Sequence, residues 1–204
     1  MKITLLAQAD LASHCALQQL LPELTAHHDV HLFYSSAHAD NAGTPPPLIE
    51  LAVFERKVLA TLEQLPVQAQ TLDRINSPEG LATLTATKPD LIISIRYAGI
   101  LREQAIAIPR FGVINLHSGL LPDYRGVMAS FRALLAGETE LGTTLHYIRD
   151  AGIDTGGIIA TSAMLVDRNK SYLWHVLNLY SDGCQLIIEA VNAIAEDRPV
   201  SDNP

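Results

Sequence analysis

The sequence predicts an α/β protein with a Rossmann-like, mostly parallel, twisted sheet and helices on both faces. Short apolar runs typical of strands alternate with segments of helical spacing through most of the 204 residues. Such alternation builds βαβ units, and therefore a parallel sheet whose ligand site lies beyond the carboxyl ends of the strands. The length suits one domain, so we expect residues 1–204 to fold as a single unit.

Composition and charge exclude several classes of partner. Apolar residues make up 48% of the chain and charged residues 18%, which is typical of a folded protein. The formal net charge of -8 and the lack of a basic run argue against a nucleic-acid partner. No apolar stretch approaches the length of a membrane span, and the first residues are too short for a signal-peptide core. We therefore expect a cytoplasmic protein with neither membrane nor nucleic acid as partner.

The amino-terminal half contains four predicted strands separated by helices. The strands are Lys2–Ala7, Asp29–Ser35, Val67–Leu72 and Leu91–Ile95. Asp10 is a suitable N-cap for a helix from Leu11, and Pro22 should kink or end that helix. A reducing compartment is expected for Cys15 and Cys184, which lack CxxC spacing and are predicted to be two buried thiols.

Two more helices are predicted in this half. Ser77, followed by Pro78 at the first helical position, begins a helix that runs to about Thr87. Earlier in the chain, residues 48–62 have helical spacing and follow a connection rich in Gly and Pro, from residue 38 to 47.

The carboxyl-terminal half is predicted to be less regular. Its predicted elements are a strand at Gly112–Leu116, a helical segment at 128–142, strands at Thr143–Ile148 and Ile158–Val166, and a long helix at Ser171–Glu196. The last residues, from Asp197, are expected to be frayed. Trp174 on the long amphipathic helix is available for packing, either in the core or at a homodimer interface.

Polar side chains cluster at the predicted ligand edge of the sheet. Asn115 and His117 end a strand and, being two residues apart, point to the same side. Asp154 follows one helix later on a Gly-rich loop. Asn can donate a hydrogen bond to a developing oxyanion, His can carry a proton near neutrality, and Asp can hold that His charged or take its proton. We predict that these three residues form a reaction site.

Structural roles remain open for each of these residues on sequence alone. A single His at a strand end is more often structural than catalytic, and Asp154 before Thr-Gly could form an Asx turn or cap. Asp150 is a competitor for the catalytic role, although Arg149 beside it suggests an exposed position. His146 could equally be a hydrogen-bond partner of the site or a core histidine.

Other chemistries find little support. Ser118 beside His117 could indicate a serine hydrolase, but the G-x-S-x-G motif of those enzymes is absent. Leu116 and Leu120 stand at its glycine positions. The first strand is followed by neither GxGxxG nor a phosphate loop, which disfavours a nucleotide enzyme. The histidines at 27, 28 and 31 do not share a face, so we expect no metal site there.

The segment from Tyr97 to Ile159 resembles the folate-dependent formyltransferase family, which includes phosphoribosylglycinamide formyltransferase and the catalytic domain of methionyl-tRNA formyltransferase. The family pattern is Asn-x-His, then Leu-Leu-Pro-x-Tyr-Arg-Gly, then a His, and eight residues later an Asp with Gly after it. The matching positions are Asn115, His117, Leu120–Pro122, Tyr124–Gly126, His146, Asp154 and Gly156. The match covers about a third of the chain, and the anchors occur in the family's order.

The resemblance implies a formyltransferase-like catalytic domain that transfers a formyl group from 10-formyltetrahydrofolate to an amine without a metal. In this mechanism Asn115 and protonated His117 stabilise the oxyanion, and Asp154 keeps His117 charged and helps to move the proton of the amine. The donor would bind in an apolar slot. The residues predicted to line it are Tyr97, Ala98, Gly99, Ile100, Leu101, Leu120, Leu121, Asp150 and Gly152.

Two departures from the family concern the acceptor and the site loop. The family usually has His-Pro-Ser or His-x-Ser before Leu-Leu-Pro, where this chain has Ser118 and Gly119. The glycinamide enzymes have a Gly-rich phosphate loop after the first strand, where this chain has residues 7–10, Ala-Gln-Ala-Asp. We therefore expect a small-molecule amine acceptor, such as an amino sugar or an amino-acid-like metabolite. A 10-formyltetrahydrofolate hydrolase and a non-catalytic folate-binding module are the alternatives.

Overall fold

A computed structural model describes residues 1–36, 57–60 and 64–203. Within these residues one sheet has the strand order β3-β2-β1-β4-β5-β6-β7. The strands are β1 (Lys2–Gln8), β2 (Asp29–Ser35), β3 (Ala69–Thr71), β4 (Leu91–Ile95), β5 (Val113–His117), β6 (Glu140–Ile148) and β7 (Ile158–Leu165). β1 to β5 pair in parallel, whereas β6 and β7 join antiparallel. The predicted mostly parallel sheet is confirmed.

Helices cover both faces of this sheet. They are α1 (Leu11–His27), α2 (Pro78–Ala86), α3 (Glu103–Ile106), α4 (Ala129–Ala136) and α5 (Tyr172–Ala195). On one face, the buried side chains of α1 and α5 pack with alternate residues of β1, β4 and β5, such as Leu5, Ile93 and Ile114. On the other face, Leu84 of α2 and Ala105 of α3 pack with the residues between them, such as Ile92.

The helix from Leu11 continues past Pro22 to His27, so of the two predicted effects of Pro22, a kink or an end, the end is wrong. Asp10 caps the helix as predicted, accepting from the Ser13 N–H at 2.7 Å. The helix continues because its apolar face, including Leu20 and Leu24, is buried on both sides of the proline. Burial of these side chains outweighs the hydrogen bond that proline cannot make.

Residues 140–142 belong to β6 and not to the helical segment that was predicted to run to residue 142. Gly137, with φ +83°, ends α4 in the left-handed conformation that glycine adopts without steric cost. Leu141 is then buried with Ala133 and Leu179. Gly137 therefore ends the helix five residues before the end that the apolar periodicity predicts, at residue 142.

The carboxyl-terminal residues are not frayed, contrary to expectation. Asn203 exchanges backbone hydrogen bonds with Ile158 at the start of β7, and Asp202 pairs with Arg149. The tail thus returns to the sheet next to the loop that bears Asp154. The third predicted strand is present but shorter than predicted, at Ala69–Thr71.

Two predictions concern residues that are largely outside the described part of the chain. The Gly- and Pro-bearing connection at 38–47 lies wholly outside it. The predicted helix at 48–62 does so except for residues 57–60, of which 57–59 are helical. None of the described helices is long and apolar enough to cross a membrane.

Candidate active site

The carboxyl end of β5 places Asn115 and His117 on one face of the sheet. Ile114 and Leu116 point into the core under α1 and α5, so the alternating Asn115 and His117 point to the opposite face. In the antiparallel register with β6, Asn115 lies opposite His146. His146 is 1% exposed, and its ring therefore stands beside the Asn115 amide on the same buried face.

Asp154 approaches this pair from the loop between β6 and β7. Its Oδ2 lies 3.3 Å from Nδ1 of His117, and its Oδ1 lies 3.3 Å from Nε2 of His146. The Gly126 N–H donates to Oδ2 at 2.7 Å. The three residues predicted from the sequence thus converge, with His146 as a fourth member.

Backbone carbonyls fix which ring nitrogens carry protons. Nε2 of His117 lies 2.6 Å from the Tyr124 carbonyl oxygen, which can only accept, so this nitrogen is the donor. In the same way, Nδ1 of His146 donates to the Tyr147 carbonyl at 2.9 Å. In its neutral form, Nε2 of His146 can then accept from the Asn115 amide at 3.0 Å. His146 thus contacts both the Asn115 amide and the Asp154 carboxylate, and it is also a buried histidine.

Burial and charge act in opposite directions on His117. Burial lowers its pKa, and the Asp154 carboxylate and the Tyr124 carbonyl oppose this effect without reversing it. Burial alone would raise the pKa of Asp154, but His146, His117 and the Gly126 N–H hold it below its ordinary value. Asp154 is therefore ionised at neutral pH, and a proton added to Nδ1 of His117 would lie directly against a carboxylate.

The lowered pKa of His117 predicts a specific pH dependence of stability. Below about pH 6.5 the unfolded chain takes up a proton at this residue before the folded chain does, so the free energy of unfolding should fall with pH. The stability contributed by Asp154 is lost only in more acidic solution, as its carboxylate is protonated. Urea unfolding between pH 5 and 7 should show a smaller slope for His117→Gln than for the wild type.

His117→Gln is compared directly with the wild type, because substitution of the exposed His27 would also change the pKa of His28. His28, whose pKa is also lowered by burial, contributes in the same direction and is retained in every variant. Equal slopes for the wild type and His117→Gln would contradict the proposed effect of burial on His117.

The Asp154 loop is pinned to β6 through its backbone. Tyr147 donates its N–H to the Gly157 carbonyl at 3.0 Å, and a Cβ added to Gly156 would collide with the Tyr147 carbonyl. Asp154 itself has φ +51°, in the left-handed region that favours glycine, asparagine and aspartate. A side chain at position 156 would therefore lift Asp154 away from the two histidines.

Gly156→Ala should lower the free energy of unfolding by about 2–3 kcal/mol, because the collision is with backbone and not with a movable side chain. Chemical denaturation would measure this loss. Gly152→Ala in the same loop is the control, since its added Cβ would meet the movable side chains of Thr155 and Asp150. If both variants lost the same stability, the close backbone approach at Gly156 would not be the cause.

The segment predicted to bind the donor follows β4, the neighbour of β5 in the sheet. Tyr97 donates its hydroxyl to the Leu72 carbonyl, and the Ala98 N–H donates to Ser35 Oγ at 3.1 Å. Asn76 fixes the end of the segment through the Ile100 carbonyl at 2.7 Å. Leu101 is buried, whereas Ile100 is 56% exposed, so this segment presents an apolar side chain at its surface.

The remaining predicted donor residues lie in two places. Asp150 is exposed and accepts from the Gly152 N–H at 2.7 Å, an arrangement that fits a turn and not a proton-transfer group. Leu120 lines a cavity with Leu141 and Gly142 behind the site loop. The Leu121 N–H donates to Thr144 Oγ1 at 3.1 Å. A donor slot built from all of these residues stays a prediction.

Both cysteines are free thiols. Cys184 is buried, which raises its pKa to about 12, whereas Cys15 is only half-buried, so the prediction of two buried thiols is wrong for Cys15. Among the described residues, no group of three His, Cys, Asp or Glu side chains is arranged to hold a metal ion.

Sequence reasoning missed the backbone groups of the site and one partly buried ion pair. The Tyr124 carbonyl and the Gly126 N–H have no sequence pattern, because every residue carries such groups. Arg96 binds Asp10 at 2.7 Å and contacts Tyr180 at the carboxyl ends of β1 and β4. Its left-handed φ of +57° could not be anticipated from an Ile-Arg-Tyr sequence.

Comparisons with known proteins show the family of this chain. A family model described as "Formyl transferase" matches residues 42–175. A methionyl-tRNA formyltransferase of Desulforamulus reducens is 35% identical over 153 residues, which are 75% of this chain and 45% of that protein. The chain spans about half the length of the curated relatives that it matches.

Solved structures share the fold. A glycinamide ribonucleotide transformylase from Symbiobacterium toebii superposes with a TM-score of 0.70 at 21% identity, covering 100% of this chain and 95% of that one. A sugar 3N-formyl transferase, WlaRD, solved in the presence of dTDP and 5-N-formyl-THF, superposes with a TM-score of 0.62 at 20% identity. That alignment covers 99% of this chain and 65% of the other.

Proposed function

Because the chain belongs to the formyl transferase family, we propose that it transfers a formyl group from 10-formyltetrahydrofolate to the amine of a small-molecule acceptor. The observation that carries the proposal is the convergence of Asn115, His117 and Asp154 at the carboxyl end of β5. These residues supply an amide donor, an imidazole N–H and a carboxylate within one hydrogen-bonded group.

Each residue has a distinct role in the proposed reaction. The amine nitrogen attacks the formyl carbon, and the Asn115 amide and the His117 Nε2–H donate to the oxygen that becomes negative. Asp154 accepts the proton that the attacking nitrogen releases, directly or through water. The carbon–N10 bond of the donor then breaks, N10 takes up a proton, and the products are the formamide and tetrahydrofolate.

The electrostatics support this assignment. Asp154 is held ionised by its neighbours, so it is available as a base at neutral pH. As negative charge develops on the substrate oxygen, a proton on Nδ1 of His117 would be stabilised by both the oxyanion and Asp154. The low exposure of both groups strengthens these interactions relative to water.

The acceptor is proposed from charge and from the family. The formal net charge of -8 favours a small amine over a nucleic acid, whose backbone would be repelled. A methionyl-tRNA acceptor is the second candidate, because the similar Desulforamulus reducens protein is named as an enzyme of that class. Salt-dependent binding of tRNA to the purified protein would favour this second candidate.

Tetrahydrofolate release from 10-formyltetrahydrofolate tests the proposal. The purified protein is assayed with and without a pool of small amines and amino sugars. Release that needs the pool supports the transferase, and fractionation of the pool then identifies the acceptor. Equal release in both conditions would show a hydrolase instead. The absence of release, together with retained folate binding, would leave a non-catalytic binding module.

A further inference from the structure

The Nε2–H of His117 is already bound to a carbonyl oxygen of the protein itself. The acceptor is Tyr124, on the loop formed by residues 119–126, and the distance is 2.6 Å. In the proposed reaction, the same N–H donates to the formyl oxygen of the substrate. The Tyr124 carbonyl and a formyl group each offer a carbonyl oxygen as hydrogen-bond acceptor, so they compete for the Nε2–H of His117.

Glycine at position 119 is what permits this contact. A Cβ at this position would lie 2.8 Å from the Tyr124 oxygen, 2.9 Å from Nε2 of His117 and 2.6 Å from Cβ of Ala129. Real Cβ atoms essentially never approach other heavy atoms this closely. A side chain at 119 would therefore force neighbouring atoms to shift, and two of the three nearest atoms are the partners of the His117–Tyr124 hydrogen bond.

The loop is tied down at two further points and has open space behind it. Thr144 Oγ1 donates to the Gly119 carbonyl at 2.7 Å, and the Tyr124 hydroxyl donates to exposed Glu138 at 2.7 Å. Behind the loop lies a cavity of about 150 Å³, lined in part by Gly119, Tyr124 and Leu141. The Tyr124–Glu138 bond is exposed, so it can be removed without disturbing the core.

We propose that Gly119 is a positioning residue. It lets the Tyr124 carbonyl accept the hydrogen bond from the His117 Nε2–H that the formyl oxygen of the substrate accepts in the reaction. Donor binding then displaces the 119–126 loop. This inference rests on the proposed function, which supplies the formyl group. If the donor binds only molecules whose loop is displaced, its apparent affinity is its intrinsic affinity multiplied by the fraction of such molecules. A change that weakens the hold of the loop on His117 increases that fraction and should therefore strengthen donor binding.

Imidazole NMR of ¹⁵N-histidine-labelled protein without ligand tests the contact itself. The wild type should give a downfield, slowly exchanging Nε2–H resonance for His117. That resonance should disappear in Gly119→Ala and exchange faster in Tyr124→Phe, which removes only the bond to Glu138. Asn178→Ala is the control, because it also removes one exposed hydrogen bond, to the Trp174 carbonyl within α5. An unprotected His117 N–H in the wild type, or no change in either loop variant, would overturn the inference.

Titration with 5-formyltetrahydrofolate, a stable analogue of the donor, tests the competition. Tyr124→Phe should bind roughly three- to tenfold more tightly than the wild type, the range expected for loss of one exposed hydrogen bond that holds the closed loop. Asn178→Ala should bind as the wild type does. Unchanged or weaker binding by Tyr124→Phe would overturn the inference. A folate that binds to none of the proteins would instead refute the proposed function.

Discussion

Asp154→Asn should lower the turnover number by roughly 10³-fold while leaving the fold intact, a loss within the range for removal of a general base. The variant removes the charge and the proton acceptor that face His117 and His146 at 3.3 Å. Asparagine keeps the shape, can still accept from the Gly126 N–H, and tolerates the left-handed φ of +51° at this position. Tetrahydrofolate release and far-UV circular dichroism would measure the two effects.

Asp150→Asn is the matched control for this substitution. Asp150 lies in the same loop and also accepts backbone and hydroxyl hydrogen bonds, but it is exposed and turned towards Gly152 and Thr155. At saturating donor, its substitution should change turnover by less than about threefold, because an effect on donor binding would appear in KM. A fully active Asp154→Asn enzyme would remove Asp154 from the mechanism, whereas equal losses in both variants would point to the loop conformation and not to the charge.

The elements that the sequence predicted well are those in which burial and local preference agree. Leu91–Ile95 is an uninterrupted apolar run and is buried on both faces of the sheet, so its pattern and its environment coincide. Residues 140–142 follow a helix without an apolar alternation of their own, and they became part of β6 because they pair with residues 163–165 of β7. That pairing is a tertiary effect that a local pattern does not contain.

In the candidate site, too, the predictable groups are those that depend on local sequence, and the others depend on tertiary structure. Asn115, His117 and Asp154 were predictable because each side chain carries a group suited to the chemistry and follows an element that ends at the ligand edge of the sheet. The groups that set their protonation are the Tyr124 carbonyl and the Gly126 N–H, whose positions depend on the conformation of the 119–126 loop. The sequence left two roles open for His146, because its place beside Asn115 depends on the register of β5 against β6.

Asn115→Ala should lower the turnover number by roughly 10²–10³-fold with a smaller effect on donor affinity, since an oxyanion donor acts mainly in the transition state. Steady-state kinetics of tetrahydrofolate release would separate these two effects. Asn178→Ala is the control, because Asn178 is an exposed amide of α5 that donates to the Trp174 carbonyl at 2.8 Å. A variant with unchanged turnover and weaker donor binding would assign Asn115 to ground-state binding.

The orientation of Asn115 by His146 can be tested separately with a double-mutant cycle. His146→Leu keeps an apolar volume in a position that is 1% exposed, and it removes the acceptor that lies 3.0 Å from the Asn115 amide. If His146 acts on the oxyanion through Asn115, the double variant Asn115→Ala/His146→Leu should lose no more turnover than Asn115→Ala alone. Additive losses would instead show that His146 acts through Asp154, its other partner in the site.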